Sequence, residues 1–199
     1  MEYQYTILSK TAEAEFKDKG SKFIAYAYPF ENEKELKPIL EKLRQEHFKA
    51  RHFCFAYSLG ESQDVFRAND DGEPSGSAGK PILNAILSQE ISDILIVVVR
   101  YFGGTLLGVP GLINAYKTAA LMTLEACERE TKFITERYSF RFGFDNLNDL
   151  MRIVKDFDLK IITQEYHPDC YFELEMKKKQ SEQIIQLFED FRAFEITEL

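Results

Sequence analysis

SDILIVVVRYF, residues 92–102, has the strongest strand pattern in this sequence of 199 residues. Its unbroken run of aliphatic, mostly β-branched residues predicts a strand that is buried on both faces. The residues GGTLLGVPG end this strand, and a long apolar helix is predicted from about Pro110 to Cys127. A buried strand, a glycine-rich turn and a helix therefore follow one another, which favours a mixed α and β structure.

Strand and helix patterns also precede this segment. KFIAYAYPF (22–30), RHFCFAYSL (51–59) and the shorter QDVFRA (63–68) are predicted strands. Between the first two, apolar residues repeat at helical spacing after Asn32, which has capping-type spacing to Glu35. Pro38 lies inside this pattern, so the helix is predicted to bend there or to begin later. A second helical pattern begins at Pro81.

A new pattern begins near residue 134 and predicts a second domain. Strand, helix, strand, strand, helix and strand follow in the order β-α-β-β-α-β, which is typical of a ferredoxin-like fold. Asp145 is predicted to cap the first of these helices. We therefore expect an α+β protein with two domains, residues 1–134 and 135–199.

Composition limits the possible functions. The net charge is −8, and residues 1–134 carry 16 basic and 19 acidic side chains, so any nucleic-acid binding needs a local basic patch. The 3 cysteines are far apart and form no CxxC pair, which argues against a disulfide framework or a zinc module. With no apolar signal core and no segment long enough to span a bilayer, the expected location is the cytoplasm. We predict no metal, no cofactor and no membrane partner.

DDGEPSGSAGKP, residues 70–81, is the most polar turn of the first domain, and it fails the common ligand motifs. Prolines at 74 and 81 break the phosphate-loop pattern, and an EF-hand register puts Ala78 where a bidentate acid is needed. No Gly-x-Ser-x-Gly elbow is present. Ser-His-Asp catalysis is conceivable because His52, Ser75 and Ser77 accompany the acids, but such residue types co-occur often without forming a triad.

Anion binding is the hypothesis that remains for this turn. Gly76, Gly79 and Pro81 describe a turn that enters a helix N-terminus, where free N–H groups and the helix dipole attract anions. Gly103 and Gly104 precede a second helix start. Together these ends predict a polar pocket ringed by Arg51, His52, Arg67, Lys80 and Arg100. The three acids of the turn are expected to face outward or to pair with Arg67 or Arg100. The alternative is that the glycines only form turns and the charges are solvated.

Three long motifs resemble the IMPACT/YigZ family in its bacterial two-domain type. They are ARHFCFAY, DDGEPSGSAGKPIL and ILIVVVRYFGGTLLGVPGLINAY, and the early KGSKFIAY also fits. The resemblance covers essentially the whole chain. It implies an N-terminal domain like domain 2 of ribosomal protein S5 and a C-terminal domain like a ferredoxin-like domain of elongation factor G. Since eukaryotic relatives regulate translation, it also implies a link to the translation apparatus.

We therefore expect a translation-associated regulatory binding protein whose partner is the ribosome, RNA or a translation factor. The alternative is an enzyme that acts on a small phosphorylated or peptide substrate in the same pocket; the sequence favours binding over catalysis and leaves the oligomeric state open. No catalytic residue is assigned. The predicted binding residues are His52, Asp70, Asp71, Glu73, Ser75, Ser77, Lys80, Arg100, Gly103 and Gly104.

Overall fold

The structure is a computed structural model that describes residues 3–166 and 168–199. The chain divides into two compact units: Tyr5–Lys132, and Phe133–Leu199 together with the N-terminal residues that precede Tyr5. Within the described part of the chain, no helix is both long enough and apolar enough to cross a bilayer.

The N-terminal part is built on a five-stranded sheet. In chain order its elements are β1 (Gln4–Leu8), β2 (Ala12–Asp18), β3 (Ser21–Pro29), α1 (Leu36–Glu46), β4 (His52–Leu59), β5 (Val65–Asn69), α2 (Gly79–Ser88), β6 (Ile94–Tyr101), α3 (Gly108–Ala126) and β7 (Arg129–Phe133). The sheet has the strand order β2-β3-β6-β4-β5, and every neighbouring pair is antiparallel. Strands β1 and β7 form a separate two-stranded sheet.

Strand β6 lies at the centre of the sheet, as its apolar run predicts. Its residues Ile94, Ile96 and Val98 pack into the core with α2 and α3, while Leu95, Val97 and Val99 pack with α1 on the opposite face. All six are fully buried. The prediction of burial on both faces is confirmed, and its cause is that helices cover both faces of an antiparallel sheet.

The helix boundaries differ slightly from those that the sequence predicts. Pro38 lies in the first turn of α1, where its missing N–H needs no partner, so the helix continues past it. A 3-10 turn, Glu33–Glu35, precedes α1, and the Asn32 side chain accepts a hydrogen bond from the Lys34 N–H. Helices α2 and α3 begin at Gly79 and Gly108, each two residues before the predicted start.

The C-terminal unit has the predicted ferredoxin-like order. Its elements are β8 (Thr135–Phe142), α4 (Leu147–Asp156), β9 (Lys160–Glu165), β10 (Cys170–Lys177), α5 (Lys178–Asp190) and β11 (Glu195–Glu198). They form one antiparallel sheet in the order β11-β8-β10-β9. The predicted Asp145 cap is wrong: Asp145 lies in a 3-10 turn, and Asn146 precedes α4 without a side-chain capping bond.

Candidate functional site

Asp70 folds back onto the start of α2. Its carboxylate accepts hydrogen bonds from the N–H groups of Gly76, Ala78 and Gly79 at 2.8, 3.0 and 2.8 Å. The anion-binding hypothesis requires these same N–H donors and the positive end of the helix dipole. The chain thus supplies its own carboxylate to the N–H groups on which the predicted anion site at this helix start depends.

Asp71 also bonds to its own chain. Its side chain accepts from the N–H of Phe53 at 2.7 Å and pairs with Arg44 at 3.1 Å. Its carbonyl oxygen lies 2.9 Å from Nδ1 of His52, which donates to it and so fixes the ring. The expectation that Asp71 faces outward or pairs with Arg67 or Arg100 is wrong, since Arg44 of α1 is its partner.

Glu73 pairs with Arg100, which is one of the two arginines expected to pair with the acids of this turn. Glu73 Oε1 lies 2.6 Å from Nη1 of Arg100, and the two side chains are only 4% and 6% exposed. The same oxygen accepts from the Tyr116 hydroxyl at 2.8 Å, and the Cys54 sulfur lies 3.3 Å from that hydroxyl oxygen. The ion pair thus joins the turn after β5 to the end of β6 inside the unit.

The nucleophile candidates near this network are not activated. Burial raises the pKa of the Cys54 thiol above its usual value, so the thiol stays protonated. Ser77 is buried and donates to the Pro74 carbonyl oxygen, while Ser75 is exposed. Among the described residues, no hydrogen bond joins a serine or cysteine side chain to a histidine, and the Cys54–Tyr116–Glu73 chain is a structural support.

Residues 102–107 form a second glycine-rich turn, between β6 and α3. The Gly103 N–H donates to Oγ of Ser21 at 3.2 Å, and its α-carbon lies so close to Gly20 that an added Cβ would come within 1.9 Å of the Gly20 carbonyl carbon. The turn leaves Phe102 and Leu106 55% and 83% exposed. No side chain caps the start of α3.

A cavity of about 540 Å³ lies between this turn and the segment that leads into β4. Its lining residues are Lys49, Arg51, His52, Gly72, Glu73, Arg100, Tyr101, Phe102 and Leu106. The lining includes three cationic side chains, one carboxylate, one histidine, two aromatic rings and a leucine. Such a cavity can hold an anion that carries an apolar or aromatic group.

The structure brings only part of the predicted site together. His52, Glu73 and Arg100 line this cavity, and Gly103 and Gly104 belong to the turn beside it. Asp70, Asp71, Ser75, Ser77 and Lys80 are not among its lining residues, and Arg67 instead lies over the Phe55 ring in a different groove. Lys49 was missed because it lies outside the recognised motifs, and Leu106 was missed because it is one of several apolar residues within ILIVVVRYFGGTLLGVPGLINAY. Within residues 3–166 and 168–199, no three His, Cys, Asp or Glu side chains are grouped to hold a metal ion.

Comparison with known proteins identifies the family to which this chain belongs. The family model of the Impact N-terminal domain matches residues 19–124. An IMPACT family member of Haemophilus influenzae is 31% identical over 178 residues, which cover 88% of this chain and 86% of the relative. The IMPACT family member YigZ of Escherichia coli is 34% identical over 150 residues, 74% of each chain.

A solved structure has a similar fold. The crystal structure of a hypothetical protein aligns with a TM-score of 0.82 at 26% identity, covering 100% of this chain and 98% of that one. The chain belongs to the IMPACT family, and the family predicted from its motifs is confirmed.

Proposed function

We propose that this chain is a translation-associated regulatory binding protein that contacts RNA, free or in the ribosome, through the cavity beside residues 102–107. The observation that carries the proposal is the set of cations at this cavity. Lys49 and Arg51 are exposed and have no carboxylate partner among the described residues. In a chain with a net charge of −8, unpaired cations beside exposed aromatic surface form a local site for a polyanion.

The link to translation rests on family membership. The family resemblance implies regulation of translation in eukaryotic relatives, and the sequence motifs that carry it include two walls of this cavity, around His52 and around Arg100 to Phe102. RNA is favoured over a basic protein partner because the three acids of the 70–78 turn are occupied internally by N–H groups and arginines. An acidic rim that could attract a basic protein is therefore not available there.

The alternative function, an enzyme acting on a small phosphorylated or peptide substrate, has no serine or cysteine nucleophile among the residues that line this cavity. The lining residues include one histidine but no serine or cysteine. The closest thiol, Cys54, is buried and hydrogen-bonded to the Asp70 carbonyl oxygen at 3.0 Å. Binding of an anion therefore uses groups that line the cavity, whereas catalysis by a serine or cysteine nucleophile needs a group that is not among them.

A tagged full-length chain tests the proposal by pull-down at low and high salt, with and without ribonuclease, and with both RNA and protein identified. We expect ribosomal or other RNA to be captured at low salt and released at high salt, because phosphate contacts depend on ionic strength. The double variant Lys49→Gln/Arg51→Gln is expected to lose this capture.

Lys117→Gln is the matched control, since Lys117 is an exposed cation of α3 that does not line the cavity. Capture of RNA by the double variant at the level of the Lys117→Gln protein would refute the proposal. Salt-resistant capture of one protein without RNA would replace RNA with a protein partner.

A further inference from the structure

We propose that the cavity takes a single nucleotide, with its phosphate against Lys49, Arg51 and Arg100 and its base against Phe102 and Leu106. The inference deepens the proposed function and rests on it, because it assigns a chemical class of ligand to the same cavity. It does not depend on whether that nucleotide is free or belongs to an RNA strand.

The phosphate end is defined by cations from two separate segments. Lys49 and Arg51 lie just before β4, and Arg100 is the penultimate residue of β6, where it pairs in register with His52. Glu73 is the one carboxylate among the lining residues, and it is already engaged by Arg100 and Tyr116. The cavity therefore keeps a local excess of positive charge that phosphate can neutralise.

Arg100 lines the cavity and carries one unpaired donor. Only 6% of this residue is exposed, and its Nε has no hydrogen-bond partner among the described residues. Its Nη1 binds Glu73 at 2.6 Å, and its Nη2 reaches Oγ of Ser21 at 3.5 Å. Buried donors of this kind are nearly always satisfied, so Arg100 keeps hydrogen-bonding capacity beyond its contacts with Glu73 and Ser21.

The base end is defined by exposed apolar surface. Phe102 is 55% exposed and Leu106 is 83% exposed, and both line the same cavity as the cations. An inorganic anion makes no use of such a wall, whereas a nucleobase stacks on an aromatic ring. The guanidinium of Arg100 lies 5.6 Å from the Phe102 ring centroid, which joins the two ends of the cavity. The volume of about 540 Å³ lies within the range of small-ligand cavities.

Calorimetric titration of the full chain with four probes tests the ligand class. The probes are adenosine monophosphate, adenosine, inorganic phosphate and a single-stranded RNA of about ten nucleotides. We expect the monophosphate to bind at least about tenfold more tightly than adenosine or phosphate, because only the monophosphate uses both ends of the cavity. Equal affinity for phosphate and the monophosphate would overturn the inference, since the apolar wall would then have no role.

Two pairs of variants assign the contacts. Phe102→Ala is expected to weaken monophosphate binding about tenfold, whereas Phe66→Ala, which removes another ring that is 55% exposed, leaves it unchanged. Arg51→Gln weakens binding, whereas Lys117→Gln does not. Circular dichroism confirms that each variant is folded. Wild-type affinity in both Phe102→Ala and Arg51→Gln would overturn the inference.

The RNA probe separates this inference from the proposed function. If RNA and the monophosphate both bind and compete, the ligand is a nucleotide of an RNA strand and both statements hold. If the monophosphate binds but RNA does not, the cavity takes a free nucleotide and the proposed function fails. If RNA binds but the monophosphate does not compete and Phe102→Ala has no effect, the inference fails while RNA binding stands.

Discussion

The two glycine-rich turns of the N-terminal unit each lead into a helix, but only one of them is closed by its own side chains. Residues 70–78 join β5 to α2, and residues 102–107 join β6 to α3. The first turn is closed by its own acids, because Asp70 caps α2 and Glu73 pairs with Arg100. The second turn has no acid, no side-chain cap and two exposed apolar side chains.

The difference shows what determines whether a helix start can bind an external group. Both turns offer glycine and a helix N-terminus, but an upstream carboxylate occupies the donors in the first. The second turn, residues 102–107, remains open. It lines one cavity together with the cations Lys49 and Arg51 from the segment before β4. The polar turn is therefore a support, and the less polar one borders the candidate site.

The largest expected loss of stability comes from breaking the Glu73–Arg100 ion pair, which joins the two turns. Arg100→Ala leaves the buried Glu73 carboxylate without its cation, and we expect a loss of about 3 to 5 kcal/mol in the free energy of unfolding. Urea denaturation measures it. Lys80→Ala, which removes an exposed cation at the start of α2, should change stability by less than about 0.5 kcal/mol. Equal stability of the two variants would show that the pair does not hold the turns together.

The next largest loss of stability is expected at Gly103, and it should exceed the loss at its neighbour Gly104 in the same turn. A Cβ at position 103 collides with the backbone of Gly20, whereas a Cβ at position 104 meets nothing within 4 Å. We expect Gly103→Ala to cost about 2 to 3 kcal/mol. Gly104→Ala should cost about 1 kcal/mol because Gly104 has a φ of +88°. Thermal unfolding of both variants measures the two losses of stability. A larger loss in Gly104→Ala than in Gly103→Ala would contradict the prediction.

A smaller effect is expected from opening the closed turn. Asp70→Ala removes the acceptor of three N–H groups and should cost about 2 kcal/mol. Asp64→Ala is the control, since Asp64 is exposed and has no assigned partner. Alkylation of Cys54, whose thiol donates to the Asp70 carbonyl oxygen, should also accelerate in Asp70→Ala. Unchanged stability and unchanged alkylation would show that Asp70 is not the cap.

Removing the C-terminal unit is expected to have the smallest effect on the folding and RNA binding of the N-terminal part. Both turns belong to residues 1–134, so we propose that this fragment folds alone and binds RNA as the full chain does. Residues 135–199 should also melt cooperatively, because they have a core of their own around Phe140, Phe172 and Phe188. Calorimetry of the two separate fragments tests this, and loss of a cooperative transition in both would show one inseparable core.

Helices and strands were predictable from the sequence where the pattern of their own residues determines them. Strand β6 was identifiable because its apolar run is unbroken, and the C-terminal order because each helix and strand has its own period. Strand β2, AEAEFKD, was missed because it is an edge strand whose alternation consists of small and charged residues. Strands β1 and β7 were missed because they are short and pair with partners far away in the chain.

The candidate site was predictable only in part, for a different reason. Local rules place a capping residue next to the helix, but Asp70 reaches the Gly79 N–H from nine residues upstream. The cavity likewise joins Arg51 with Phe102, which only the pairing of β4 with β6 brings together. The composition of a turn shows that it is polar, whereas the tertiary fold decides whether its charges remain available.

The most direct test of the account is the salt dependence of single-stranded RNA affinity in three proteins: wild type, Lys80→Gln and Lys49→Gln/Arg51→Gln. The account predicts that the double variant lowers the slope of log affinity against log salt by about 0.7 for each phosphate that the protein no longer neutralises. Lys80→Gln should leave the slope unchanged, because α2 is capped by Asp70. A slope that falls in Lys80→Gln and not in the double variant would contradict the account and place the anion site at the start of α2.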